Sequence, residues 1–221
     1  MSPVRNVTVL ISGTGSNLQA MIDAVDAGRL EIRINHVISN VADAPGLQRA
    51  ANAGIRSSVL EHGRFAERGD FDAALALLMA AGEPDLVVLA GFMRIIGEPV
   101  LNAFRGKMIN LHPALLPKYR GVDTYRRALE AGDDRHGASM HFVTEELDGG
   151  PVLSQVVIPI QADDNPETLA ARLSPREHEL VVATVAFFTR HDVACDGGTI
   201  RVDGATIRQP FLLQPDGALH V

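Results

Sequence analysis

Cysteine is almost absent. Cys195 is the single one in 221 residues, so no internal disulfide can form and the chain reads as built for a reducing, intracellular setting. No apolar run approaches the ~18 residues of a membrane-spanning helix. Lysine is scarce too, with Lys107 and Lys118 the only two among 20 basic residues. The first 110 residues carry 11 acids against 10 bases, and the remainder 16 against 10. Neither half is basic enough for a nucleic-acid or membrane-binding surface to be the chain's main business. An anionic small ligand stays open, because it needs only a local site. The start, MSPVRNVTVLISG, lacks the apolar stretch and cleavage site of a signal peptide and reads as a first strand. The eight histidines and Cys195 form no HExxH or CxxC pattern, so no metal is expected.

What is present is a well-stocked core. Hydrophobic residues make up 46% of the chain, and mean hydropathy is +0.09. A chain of this length buries roughly 70% of its unfolded surface and needs no staples. Short branched-aliphatic runs alternate with helical patterns. Strands are expected at Asn6–Ser12, Ile34–Ser39, Ser57–Leu60, Asp85–Ala90 and Met108–Leu111. Helices are expected at Asn17–Ala27, Gly46–Ala53, 69–81, Glu98–Phe104 and Tyr125–Ala131. This alternation predicts an α/β fold, Rossmann-like, with a mostly parallel sheet and helices on both faces. After residue 137, strands at Ala138–Val143 and Val152–Ile160 flank a turn, so mixed pairing is expected there. Pro166–Phe188 is helical, and Ser174-Pro175-Arg176-Glu177 reads as a second capping box, so two helices or one kinked at Pro175 are expected. The last 30 or so residues read as a small hairpin. One domain over 1–221 is expected, with a phosphate-binding half 1–110, a catalytic half 111–190 and a C-terminal extension 191–221.

The loop Gly13, Thr14, Gly15, Ser16, Asn17 lies between the first strand and helix. Glycines expose backbone N–H groups there and the helix end adds partial positive charge. A dinucleotide fingerprint would need a third glycine where Leu18 stands, and an acid where Ser39-Asn40 close the second strand. There is no Walker lysine either. A monophosphate fits better, and a tight glycine turn with an asparagine cap is the alternative. Further on, Asn110 and His112 share one side of an extended strand, while Asp148 sits in the turn Glu145–Pro151. Asparagine can donate to a developing oxyanion and histidine can relay a proton. A solvated acidic turn and structural histidines are the plainer reading, and His136 and His141 are read as local structural residues.

The blocks VLISGTGSNLQAMI, VLAGFMRII, NLHPALLPKYRG and HFVTEELDGGPV, in this order, resemble the folate-dependent formyltransferase family. The resemblance spans residues from about 6 to 190. It implies that a substrate amine attacks the formyl carbon of 10-formyltetrahydrofolate, the co-substrate, with Asn110, His112 and Asp148 as the catalytic residues. The amine implied is that of glycinamide ribonucleotide, in purine biosynthesis. Its phosphate and ribose would meet Gly13, Thr14, Gly15, Ser16, Asn17 and Glu177. The reduced folate would meet Arg64, Met93, Arg94, Ile95, Ile96, Asn110, Val143 and Leu147. Partners are thus small molecules, with no nucleic acid or membrane, in a cytoplasmic monomer or homodimer. The chain departs from the family at Arg120, Asp123 and Tyr125, where many members have proline and two histidines, which bears on the substrate loop. Relatives with an added RNA-binding or regulatory domain fit the length less well. A formyltetrahydrofolate hydrolase and a non-enzymatic nucleotide-sensing module are the alternatives; the second predicts that the three catalytic candidates do not converge.

Overall fold

The computed structural model describes residues 4–220; Met1–Pro3 and Val221, the ends of the expected 1–221 domain and the first residues of its expected strand start, lie outside the described residues. The fold is α/β, with helices packed on both faces of the strands. The chain divides into two compact units, one ending at Asn110 and one beginning at Leu111.

The first unit alternates strand and helix: β1 (Arg5–Ile11), α1 (Ser16–Asp26), β2 (Ile32–Ser39), α2 (Pro45–Asn52), β3 (Ser57–Val59), α3 (Arg68–Ala80), β4 (Leu86–Leu89), α4 (Glu98–Ala103) and β5 (Met108–His112), whose last two residues begin the second unit. The strands are parallel in the order β5-β4-β1-β2-β3. β1 and β4 are central, which is why LVVL is apolar throughout and VTVLI carries Thr8 as its one polar residue, its hydroxyl donating to Asn35 Oδ1 at 3.1 Å: Val7 to Ile11 and Leu86 to Leu89 are all buried. α1 packs against β2 and α2 and buries Leu18, Met21, Ile22 and Ala24, spaced as one helical face requires. α3 contributes Phe71, Leu75 and Met79 on the same logic, and buries Asp72 with them.

In the second unit, β6 (Arg135–Phe142) pairs antiparallel with β7 (Val152–Pro159), and β11 (Phe211–Leu213) runs parallel beside β7 with β12 (Leu219–His220) antiparallel outside it. α5 (Thr124–Glu130) and α6 (Pro166–Arg190) pack within this unit. A separate antiparallel sheet holds β8 (Val193–Asp196), β9 (Thr199–Val202) and β10 (Ala205–Thr206). The expected C-terminal hairpin is therefore too simple. Two strands leave the local sheet, and β11 is recruited by β7 through a pairing remote in sequence.

Of the two readings at Pro175, two helices or one kinked helix, the first is corrected. α6 is one helix, and its cap lies at Asn165: the Asn165 side chain accepts from Thr168 N–H at 2.9 Å and Thr168 Oγ1 accepts from Asn165 N–H at 2.9 Å. Proline at 175 removes one intrahelical donor, normally a break signal. Here Ala171, whose carbonyl loses that partner, is exposed, while Leu169, Leu173, Leu180 and Val181 carry one buried face straight past the proline. Packing of that face outweighs the lost bond. Ser174 is thus mid-helix, and Glu177 is released from any capping role.

Candidate active site

Within the first unit the order β5-β4-β1-β2-β3 reverses direction between β1 and β4, and in such sheets ligands bind where the loops after those two strands diverge. The loop after β1 is Ser12–Gly15 and the loop after β4 is Gly91–Gly97. Gly15 has φ 69°, and a Cβ there would fall 2.6 Å from Gly46 Cα, so only glycine lets α2 pack against this turn. Gly46 N–H donates to the Gly13 carbonyl at 3.0 Å and Arg49 Nε to the Thr14 carbonyl at 2.8 Å. Gly13 faces open space. The expected asparagine cap is not formed: Gly15 is the N-cap of α1, no side chain caps it, and Asn17 lies inside the first turn with its Oδ1 buried and without a hydrogen-bond partner. A helix start without a side-chain cap suits an anion, and the Asn17 oxygen suits a hydroxyl or amide donor.

The loop after β4 is fixed at both ends. Ser12 N–H donates to the Gly91 carbonyl at 3.0 Å, and Met93 N–H donates to Ser12 Oγ at 2.7 Å. Arg68 on α3 donates to the Ile95 carbonyl at 3.0 Å. Between these anchors Met93 and Ile95 are 73% and 53% exposed, large apolar side chains held out on a fixed backbone, while Ile96 is buried and Arg94 half-buried. Arg64 lies in the short turn His62–Arg64, largely exposed and paired with Glu61 at 2.5 Å. Arg68 reaches this loop and was not singled out from the sequence; its position as the first residue of α3 carries no motif. Asn110, half-buried on β5, pairs in register with Leu89.

In the second unit His112, at the end of β5, is buried. Its Nε2 lies 2.9 Å from the Tyr119 carbonyl, which only accepts, so Nε2 carries the proton. Nδ1 lies 3.4 Å from Asp148 Oδ2. Asp148 also accepts from Gly121 N–H at 2.9 Å, and its other oxygen is 3.6 Å from His141 Nε2. His112 and Asp148, two of the three residues that the nucleotide-sensing alternative would keep apart, approach one another within this unit. His141, read as local structure, faces the same carboxylate; it sits on β6, and only the strand–turn geometry of 135–152 brings it there.

Electrostatics set the protonation states. Burial holds the His112 pKa below its usual value, against the raising pull of the Tyr119 carbonyl and Asp148. Burial pushes the Asp148 carboxyl up, but His141, the Gly121 N–H and His112 together outweigh it and hold it below the usual carboxylate range. A neutral imidazole therefore presents Nδ1 toward an ionised carboxylate. Asp148 adopts a left-handed backbone (φ 48°), as do Tyr119 (φ 55°) and Asp123 (φ 59°), conformations that cost of order 1 kcal/mol each and cluster where geometry matters. Gly150 must be glycine, since a Cβ would lie 1.8 Å from the Phe142 carbonyl as the turn folds back on β6.

The substrate-loop departures have structural partners. Arg120 pairs with Glu146, Asp123 is the N-cap of α5, and Tyr125 Oη donates to Glu177 Oε1 at 3.4 Å while its ring lies 5.1 Å from that of His136. Burial pushes Glu177 up to about 7, partly offset by the Tyr125 hydroxyl. Thr124 Oγ1 and His136 Nε2 are buried without hydrogen-bond partners, polar atoms in the same neighbourhood that a sugar-like ligand could satisfy. Val143 is half-buried and Leu147 is 49% exposed beside Asp148. Among the described residues no cluster of three or more His, Cys, Asp or Glu could hold a metal ion, and no helix is long and apolar enough to cross a membrane.

The family model for formyl transferases matches residues 5–185. The chain is 46% identical over 183 residues to the phosphoribosylglycinamide formyltransferase of Escherichia coli, covering 83% of this chain and 86% of that one. It is 41% identical over 179 residues to the human trifunctional purine biosynthetic protein adenosine-3, covering 81% of this chain and 18% of that one. Among solved structures, the phosphoribosylglycinamide formyltransferase of Coxiella burnetii superposes with a TM-score of 0.88 at 42% identity, covering 93% of this chain and 96% of that one. Glycinamide ribonucleotide transformylase 1 of Symbiobacterium toebii gives 0.87 at 38% identity, covering 91% and 95%.

Proposed function

The chain belongs to the formyl transferase family, and from that membership and the site geometry we propose how its residues divide the work. The reaction moves the formyl group of 10-formyltetrahydrofolate to the amine of 5'-phosphoribosylglycinamide, a step of purine biosynthesis. The amine nitrogen attacks the formyl carbon and forms the new C–N bond. The tetrahedral intermediate collapses as the bond to folate N10 breaks. One proton leaves the amine and one is delivered to N10, so the exchange balances with no outside reagent.

Asn110 donates to the formyl oxygen as it gains negative charge. Asp148, ionised, accepts the amine proton directly or through water. His112 moves the proton: its Nε2–H is held by the Tyr119 carbonyl, so the bare Nδ1 facing Asp148 is the atom that takes a proton up, and the imidazolium so formed helps stabilise the charge on the oxygen. The observation that carries this reading is the His112–Asp148 approach of 3.4 Å, with Gly121 N–H and His141 completing the shell of the carboxylate. The loop 13–17 takes the phosphate, Glu177 the ribose, and the fixed backbone of 93–96 with Val143 and Leu147 the folate; Arg68 joins Arg64 as a candidate for the anionic folate tail. The partners this chemistry needs are small molecules, and no step in it calls on a metal.

The test is a double-mutant cycle on Asn110→Ala and Asp148→Ala, scored in kcat. Residues acting as one unit lose about as much singly as together. Losses that add in free energy would make Asn110 and Asp148 independent contributors, and a kcat left near the native value by either substitution would contradict the role given to that residue.

A further inference from the structure

Asn40 directly follows β2, at the place where dinucleotide-binding folds put a ribose-binding acid, and the mechanism above gives it no task. It is buried, and its Oδ1 accepts from Ser12 Oγ at 2.5 Å. With its hydrogen committed to Asn40, the Ser12 oxygen has only lone pairs left, and one of them accepts from Met93 N–H at 2.7 Å. The Ser12 backbone N–H simultaneously donates to the Gly91 carbonyl at 3.0 Å. Ser12 directly precedes Gly13, the first residue of the phosphate loop. One serine therefore holds the start of the loop assigned to the ribonucleotide and the start of the loop assigned to the folate.

We propose that Ser12, oriented by Asn40, is a positioning residue that couples the two substrate loops, so that occupancy of either one raises affinity for the other. The inference rests on the loop assignments made above. Its physical basis is ordering: a ligand that fixes 13–17 also fixes Ser12, and through two hydrogen bonds fixes Gly91 and Met93, so the second ligand finds that backbone already held. Linkage makes the effect reciprocal.

The experiment measures calorimetric affinity for glycinamide ribonucleotide with and without saturating tetrahydrofolate, which lacks the formyl group and cannot react. In the unaltered protein the affinity rises about fivefold or more, the low end of ordinary coupling energies. Ser12→Ala keeps the backbone bond to Gly91 but loses the bond from Met93, so the factor falls most of the way toward one, while Ser12→Thr, which keeps the hydroxyl, retains it. Asn40→Ala, which leaves Ser12 in place but frees its hydroxyl, loses most of the factor and serves if Ser12→Ala does not fold. Hydrogen exchange separates the two ways of failing. If ribonucleotide does not protect the amides of 13–17, or tetrahydrofolate those of 93–96, the loop assignments fall and the coupling with them. If both protect and the factor survives in Ser12→Ala or Asn40→Ala, or is absent from the unaltered protein, the coupling role alone is overturned.

Discussion

Glu177→Gln should remove a pH dependence from the stability of the protein. Burial raises the Glu177 pKa from 4.5 to about 7. A carboxyl whose folded pKa lies above its unfolded one binds more protons in the folded state throughout the window between them. Its contribution is fully present below about pH 4.5 and is lost as pH rises through about 7. Each pKa unit corresponds to about 1.4 kcal/mol, so the whole window is worth on the order of 3 kcal/mol. Between about pH 5 and 7.5 the loss is about 2–3 kcal/mol. Glutamine keeps the acceptor for Tyr125 Oη and the volume, but carries no charge at any pH. Urea unfolding at those two pH values, compared between the native chain and Glu177→Gln, isolates the difference from every other titrating group. The variant should lose about 2–3 kcal/mol less than the native chain over that interval. Equal pH dependence in the two would show that Glu177 titrates normally and would refute the argument from its burial.

Other outcomes follow from the same geometry. Asn110→Ala should lower kcat by about 100- to 1,000-fold, the usual cost of one oxyanion donor, with little change in folate affinity measured by fluorescence titration. The acid limb of the kcat/KM profile should fall below the ordinary histidine value of 6.5, because burial favours neutral His112 and activity is lost as pH drops through its pKa. Gly137→Ala would place a Cβ 1.9 Å from the Val156 carbonyl, so the β6–β7 pair must open. It should cost about 3 kcal/mol or more, read as a lowered urea midpoint.

Much of this was legible before any coordinates. The first unit reads cleanly because its information is local: VTVLI and LVVL can only be buried strands, and Leu18, Met21 and Ile22 mark one helix face. Where the reading failed, a tertiary contact overruled a local signal. Ser174-Pro175 carries every mark of a helix start, yet the apolar face on either side of Pro175 is continuous and the helix passes through. The start of the helix was legible, since Asn165-Pro166 is a start signal in its own right, and only the box partner Thr168, not the usual glutamate, was hidden. In the C-terminal segment, the choice of β11 to join β7 depends on a pairing about 57 residues distant in the chain, which no turn signal announces. The site divides the same way. Asn110, His112 and the glycine loop have spacing and motif. Ser12, Asn40, Arg68 and His141 matter through distances to other loops, and nothing in their immediate neighbours distinguishes them.

The most direct measurement follows both products in one reaction: purified protein with 10-formyltetrahydrofolate, in the presence and absence of 5'-phosphoribosylglycinamide. Tetrahydrofolate and formylated ribonucleotide should appear in equal amounts, and neither should appear without the amine. Release of tetrahydrofolate and formate at the same rate without ribonucleotide would contradict transfer and make water the acceptor at this site.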